Sequence, residues 1–152
     1  MIHYRKATIN DVDIIFNWSN DGRQFSFNSE PIAYENHVKW FNAKLLDDSS
    51  FFYIFSNTQN ENIGLVRIEN KEDETIIGIL IDKNHRGKSY SSEMLLQATS
   101  AFFKIFPQKS IQAYIKNNNI ASIKSFTKAG FINPQNSIIN NIPSVILSKK
   151  LK

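Results

Sequence analysis

The sequence predicts an α/β (α+β) fold, with a mixed, mostly antiparallel central sheet of six to seven strands flanked by about four helices. Three observations predict it. Short apolar runs at 51–55, 63–68 and 74–81 are separated by brief polar turns, the pattern of an antiparallel meander. The last of these runs feeds the polar stretch Asp82-Lys83-Asn84-His85-Arg86-Gly87-Lys88-Ser89-Tyr90-Ser91-Ser92, which opens a helical pattern. After that helix a strand pattern and a helix pattern alternate once more, punctuated by Pro107 and Gly130.

In chain order, 2–7 alternates weakly and reads as a first strand. Thr8 or Asn10 caps a helix reaching about Trp18, with Val12, Ile15, Phe16 and Trp18 toward the core, and Asn20-Asp21-Gly22 breaks it. Residues 23–32 interleave polar and aromatic side chains without a period, and Pro31 argues against a helix there. This stretch reads equally as a substrate loop or as a plain connection. From Tyr34 to Leu46 the spacing is helical, with Tyr34, Val38, Phe41 and Leu45 on one face. His37 and Trp40 lie beside that stripe and read either as a pocket rim or as a surface imidazole and a core indole.

The meander follows. Its middle strand carries Gly64 and Arg67, and Gly78 in its last strand marks a bulge or a close backbone approach. The next helix covers about 91–106, a strand covers 109–116, and a second helix covers 120–129. Phe131-Ile132 and 145–147 close the chain as strands around an Asn-rich loop.

Composition narrows the function. The chain has 152 residues, 41% hydrophobic and 21% charged, which fits one globular domain over 1–152. Twelve Phe predict an aromatic-rich core. No run has the length of a membrane span, and 1–6 lacks the apolar stretch of a signal peptide. The absence of cysteine excludes disulfides, a thiolate nucleophile and Cys-ligated metal. A cytoplasmic protein, monomeric or homodimeric, is the expectation. The formal charge of +4 comes from scattered Lys and Arg, dense only at Lys149, Lys150 and Lys152. That distribution favours attraction of an anionic small molecule over nucleic acid binding.

The stretch at 82–92 carries the chemistry. A strand, a polar turn and a helix start present free N–H groups at the positive end of the helix dipole, and Arg86 and Lys88 add cations. An ordinary loop with solvated basic residues is an equal alternative for this stretch taken alone.

Two separated segments together resemble the GNAT acetyltransferase family. Arg86-Gly87-Lys88-Ser89-Tyr90-Ser91 stands at the family's phosphate-binding motif, Gln/Arg-x-x-Gly-x-Gly/Ala. Asn119-Ile120-Ala121-Ser122-Ile123-Lys124-Ser125-Phe126-Thr127-Lys128-Ala129-Gly130-Phe131 is similar to the family's Asn-x-x-Ser/Ala-Ile-x-x-Tyr/Phe-x-Lys-x-Gly-Phe segment. The order of elements matches over nearly the whole chain. The resemblance implies a GNAT fold and an acetyl-CoA-dependent N-acetyltransferase. Amides of Arg86, Gly87, Lys88, Ser89, Tyr90, Ser91 and Ser92 would hold the pyrophosphate. The strand edge at Leu80 and Ile81 would pair with the pantetheine arm. Asn119, Ser122 and Phe126 would lie along the same cosubstrate, and the strands bearing Leu80 and Tyr114 would splay to admit the thioester. Ser89 and Ser91 stand where the family commonly has glycine, or glycine and alanine. Phe126 stands where many members have a tyrosine that protonates the leaving thiolate, so that role falls to water or another residue.

Trp18-Ser19-Asn20-Asp21, Phe27-Asn28, Pro31-Ile32 and His37-Val38-Lys39-Trp40-Phe41 resemble the acetyltransferases that act on nucleotide-linked amino sugars of surface polysaccharide and pseudaminic acid pathways. On that resemblance Arg23, Phe25, Phe27, Asn28, His37, Trp40 and Tyr114 are the acceptor-side candidates. Acetyl transfer needs a base and an oxyanion donor. Glu74 is the first candidate base, with an exposed strand-end carboxylate as its equal alternative, and His37 is the second. The N–H of Leu80 or Ile81 is the oxyanion candidate. His3, His37 and His85 share no ligand spacing, so no metal is expected. The competing functions are protein N-terminal acetylation and a non-catalytic CoA-binding domain.

Overall fold

The computed structural model describes residues 1–151; Lys152, counted above in the basic tail, lies outside them. The strands are β1 (His3–Lys6), β2 (Ser50–Ser56), β3 (Asn62–Asn70), β4 (Thr75–Ile81), β5 (Ser110–Lys116), β6 (Ile132–Ile139) and β7 (Ile142–Lys150). The helices are α1 (Val12–Asp21), α2 (Tyr34–Leu45), α3 (Tyr90–Ile105) and α4 (Ile120–Lys128). One seven-stranded sheet runs in the order β1-β2-β3-β4-β5-β7-β6. Every neighbouring pair is antiparallel except β4 and β5. The predicted mixed sheet with four helices is therefore present.

The sheet is covered on both faces, so β2 is apolar on both. Tyr53 and Phe55 join Val66, Ile68, Ile77, Leu95, Phe102, Ala113 and Leu147 in the core beneath α3 and α4. Phe52 and Ile54 join Ile15, Trp18, Phe41 and Leu65 in a smaller core beneath α1 and α2. This alternation along β2 is the period of two expected of a strand between two helix layers.

Caps fix the helix ends. The Thr8 side chain accepts from the Asn10 N–H and the Asp11 carboxylate accepts from the Thr8 N–H, which starts the turn leading into α1. Arg5 forks onto Asp11 at 2.7 and 2.8 Å, tying β1 to that turn. Burial pushes the Asp11 carboxyl up, but the Arg5 and Thr8 hydrogen bonds outweigh it and hold it below its ordinary value. At the far end of α4, Gly130 takes φ +96°, and Lys149 Nζ donates to the Ala129 carbonyl and to Thr99. The Lys149 of the basic tail is thus engaged internally.

Two expectations are corrected and one is narrowed. The Asn-rich segment is a hairpin rather than a loop, with β6 and β7 paired up to Ile139 and Ile142. Asn140 and Asn141 both take positive φ, 49° and 63°, which a two-residue hairpin turn requires and asparagine tolerates. Pro134 is accommodated because β6 is an edge strand whose register shifts between Ile132 and Gln135. On α2 the buried positions are His37 and Phe41, while Tyr34 is exposed and donates its hydroxyl to Asp13. Of the two readings of Gly78, a bulge or a close approach, the bulge is excluded: β3 and β4 keep an unbroken register from Gly64↔Ile81 to Asn70↔Thr75.

One feature of the sheet positions the site. β4 and β5 pair only over Thr75–Ile77 and Ile111–Ala113. Beyond that point β4 stays with β3 to Ile81 and β5 stays with β7 to Lys116. The two strands keep their outer partners and lose each other, so a wedge opens in the middle of the sheet.

Candidate active site

The wedge joins two cavities of about 200 and 270 Å³ that share Gly22, Phe25, Ile79, Leu80, Asn119 and Ser122. The first cavity lies between the end of β4 and the starts of α3 and α4. Leu80 and Ile81 line it from β4, and Arg86, Gly87, Ser89, Tyr90 and Ser91 from the turn and the first turn of α3. The first N–H groups of α3 have no intrahelical acceptor and carry the positive end of its dipole.

The backbone of this turn suits an anion. Gly87 takes φ +75° and Ser89 takes φ +64°. Ser89 therefore keeps the left-handed conformation of a glycine at a cost of about 1–2 kcal/mol in strain. A Cβ built on Gly87 would meet nothing within 4 Å, so the backbone there is open to close approach. Asp82 locks the turn in place. It accepts from Trp18 Nε1 at 3.0 Å and from the Asn84 N–H at 3.1 Å, and it bonds His85 Nδ1 at 2.8 Å. Burial pushes the Asp82 carboxyl up, but these bonds outweigh it and hold it below its ordinary value.

The exposed edge of β4 faces the wedge. The Asp82 N–H donates to the Ile63 carbonyl. By strand alternation the N–H groups of Ile79 and Ile81 then point away from β3, into the gap, and that of Leu80 points toward β3. The oxyanion candidate thus narrows to Ile81. Its carbonyl accepts from Arg86 Nε at 3.1 Å.

The second cavity opens on the α1 side of the sheet. Arg67, Gly78 and Tyr114 line it from β3, β4 and β5, and Arg23, Phe25, Ser26 and Phe27 from the loop after α1. Arg67 is the register partner of Gly78, and Gly78 and Tyr114 follow the paired Ile77 and Ala113. Three strands therefore converge on one spot at the root of the wedge. The loop is fastened across it: Lys116 Nζ donates to the Gln24 carbonyl at 3.0 Å and Asn140 to the Phe27 carbonyl at 3.3 Å.

The Tyr114 hydroxyl donates to the Glu74 carboxylate. Burial, and then this bond, push the phenol up to about 12, so it keeps its proton at neutral pH. Among the described residues no group of three or more His, Cys, Asp or Glu is placed to hold a metal ion. No helix among them is long and apolar enough to cross a membrane.

The family model of the acetyltransferase (GNAT) domain matches residues 2–132. The chain belongs to this family. A spermidine N-acetyltransferase from Vibrio cholerae, solved in complex with CoA and spermine, superposes with a TM-score of 0.85 at 19% identity, covering 97% of this chain and 94% of that one. A dodecameric structure of spermidine N-acetyltransferase from the same organism gives 0.80 at 19% identity, covering 98% and 93%. At that identity the likeness is one of fold. An uncharacterized protein of Methanocaldococcus jannaschii is 25% identical over 131 residues, 84% of this chain. The chain spans 27% of the length of that curated relative.

In this GNAT-family chain most of the residues expected at the cosubstrate are brought together. Leu80, Ile81, Arg86, Gly87, Ser89, Tyr90, Ser91, Asn119 and Ser122 share the first cavity. Lys88 is exposed outside it and Ser92 is buried beneath it. The Ser91 hydroxyl bonds Ser125 at 2.6 Å, so it joins α3 to α4 rather than standing free for phosphate. Asn119 caps α4 by accepting from the Ser122 N–H. Phe126 lines the second cavity, edge-on to Phe131.

On the acceptor side Arg23, Phe25, Phe27 and Tyr114 line the cavity, and three expected residues do not. His37 is 2% exposed among Phe16, Trp40 and Phe41, with Nε2 bonded to the Val12 carbonyl at 2.9 Å. That hydrogen bond lets an imidazole stand in a core position, and it removes His37 from the base and acceptor candidates. Trp40 packs on Phe52 and supports Arg67 from below, 5.5 Å from ring centroid to guanidinium carbon. Asn28 shapes the loop, its carbonyl accepting from Arg23 at 3.0 Å and its side chain from the Glu30 N–H. Glu74 reaches the cavity only through Tyr114. Sequence reasoning missed Arg67 and Asp82. A charge inside an apolar strand was the available signal for Arg67, whose pairing with Gly78 only the register shows; nothing in the sequence marks the bond between Trp18 and Asp82.

Proposed function

We propose that the chain is a cytoplasmic, single-domain enzyme over 1–152, monomeric or homodimeric, that moves an acetyl group from acetyl-CoA to the primary amine of a nucleotide-linked amino sugar. The observation that carries the reading is the wedge between β4 and β5, which joins an amide-rich turn on one side to an aromatic and cationic cavity on the other. Amides around Gly87, Ser89 and Tyr90 hold the pyrophosphate of acetyl-CoA, and Arg86 adds charge. The pantetheine arm lies along the free edge of β4. Asn119 and Ser122 flank it. The thioester then sits at the wedge, where the amine arrives from the other side.

Positioning supplies most of the rate. The ammonium gives one proton through Tyr114 to Glu74. The amine nitrogen attacks the thioester carbonyl, and the Ile81 N–H receives the oxyanion. The C–S bond breaks and the second proton on nitrogen passes to the leaving sulfur, directly or through one water. No tyrosine at the Phe126 position is needed.

Phe25 and Phe27 support the nucleotide-linked acceptor, because a flat base stacks on such rings. A second reading is a polyamine acceptor, which the neighbours named as spermidine N-acetyltransferases favour. A polycation requires carboxylates, and none of the residues lining the second cavity is acidic. Thiol release from acetyl-CoA with a UDP-linked amino sugar and with spermidine tests the choice. The account expects turnover with the amino sugar nucleotide. Turnover with spermidine alone would replace the acceptor, and CoA binding without turnover on any amine would make this a binding domain.

A further inference from the structure

Arg67 projects from the middle of β3 on the face of the buried Leu65, opposite to Val66 and Ile68, and is itself half-buried. A cation placed there requires compensation. Among the described residues its guanidinium makes no hydrogen bond and no ion pair. The acid that acts on it is Glu69, and that carboxylate is bonded to Lys44. The surroundings hold Arg67 without neutralising it. Trp40 lies beneath the guanidinium, and a Cβ on Gly78 would stand 3.3 Å from Arg67 Nε. Glycine at 78 therefore makes room for this side chain to cross β4 and reach the second cavity.

Arg23 faces the same cavity from the loop. Its Nε and one Nη donate to the carbonyls of Ser19 and Asn28, which fixes the fork in place. Burial, and then the charge of Arg67, push its pKa down. Two guanidiniums thus border one cavity whose lining holds no acid. The charge of Arg67 disfavours that of Arg23, and an anion between two like charges relieves such repulsion.

We propose that Arg67 and Arg23 form an anion-binding subsite in the acceptor cavity, so that the substrate is an amine carrying a phosphate or a carboxylate. This rests on the reading of that cavity as the amine site. Arginine forks match both oxyanion types, and a diphosphate uses two forks best.

The test is titration calorimetry of the full chain saturated with CoA, which keeps probes out of the cosubstrate turn. UDP, L-aspartate and spermidine are the probes. UDP binding with Arg67→Gln weaker by roughly tenfold or more, about 1.4 kcal/mol, supports a phosphate-bearing acceptor. The same dependence with aspartate in place of UDP supports a carboxylate-bearing one. Arg67→Lys should restore only part of the affinity, because an ammonium lacks the fork. An unchanged CoA affinity certifies that the variant is folded, and Arg23→Gln, on the loop, provides a second variant with less risk to the core. The subsite is refuted if both anions bind Arg67→Gln and Arg23→Gln as they bind the parent, or if spermidine binds the parent more tightly than either anion. Arginine-dependent anion binding in a protein that fails to turn over acetyl-CoA would keep the subsite and overturn the enzyme.

Discussion

The two cavities that meet at Leu80 are built in opposite ways. The cosubstrate side comes from two short stretches, 79–91 and 119–125, plus two residues of the loop after α1. It presents backbone: a left-handed Gly87, a left-handed Ser89 and the free amides of α3. The acceptor side is assembled from residues far apart in the chain, with Arg23, Arg67, Gly78 and Tyr114 each on a different element. It presents side chains. The difference teaches that a ligand common to a family can be gripped by main chain, which tolerates side-chain change, whereas a particular ligand must be read by side chains that the sheet brings together.

Breaking each side separately should therefore give different signatures. The largest effect is expected at the point of reaction. Glu74→Gln should lower kcat by roughly a hundredfold while leaving the acetyl-CoA constant unchanged, measured by initial rates against pH. A parent-like pH profile would return Glu74 to the surface. Gly87→Val comes next. A β-branched residue at φ +75° also fills the open approach, so acetyl-CoA affinity should fall about thirtyfold by calorimetry, against a fold cost of about 1–2 kcal/mol. Gly78→Val should do the reverse. It crowds Arg67 and should raise the acceptor Michaelis constant roughly tenfold with the acetyl-CoA constant intact. If both constants moved together, the two sides would not be separable.

The smallest effect concerns pH. The phenols of Tyr53 and Tyr114 are both pushed up to about 12, Tyr53 by burial and Tyr114 by burial and Glu74. Folding therefore favours the neutral phenol. That contribution is complete below pH 10 and is lost as pH rises from about 10 to 12. The denaturant midpoint should fall across that window, and Tyr114→Phe should make the fall shallower.

The same contrast explains what the sequence disclosed. The turn at 82–92 and the α4 segment are contiguous, so their residues carry their geometry with them, and nine of the expected cosubstrate side chains line one cavity. The meander from β2 to β4 was legible because its strands are apolar runs separated by turns. β6 was legible only at its first residue, Ile132: beyond it runs an exposed edge strand containing Pro134, without the alternation that a half-buried strand shows. His37 misled because its burial depends on a carbonyl of α1 that no local pattern reports. Arg67 became a site residue only once the register set it against Gly78 and the parting of β4 from β5 brought Tyr114 alongside.

The central claim is that acetyl-CoA lies along the free edge of β4 with its pyrophosphate on the turn before α3. Amide hydrogen exchange of the full chain, with and without acetyl-CoA, tests it most directly. The account predicts new protection at Ile79, Ile81 and residues 87–91, with lesser protection at 119–122 and none in the β6–β7 hairpin. Protection confined to β5 or to the loop at 23–28, with the turn exchanging as before, would contradict it.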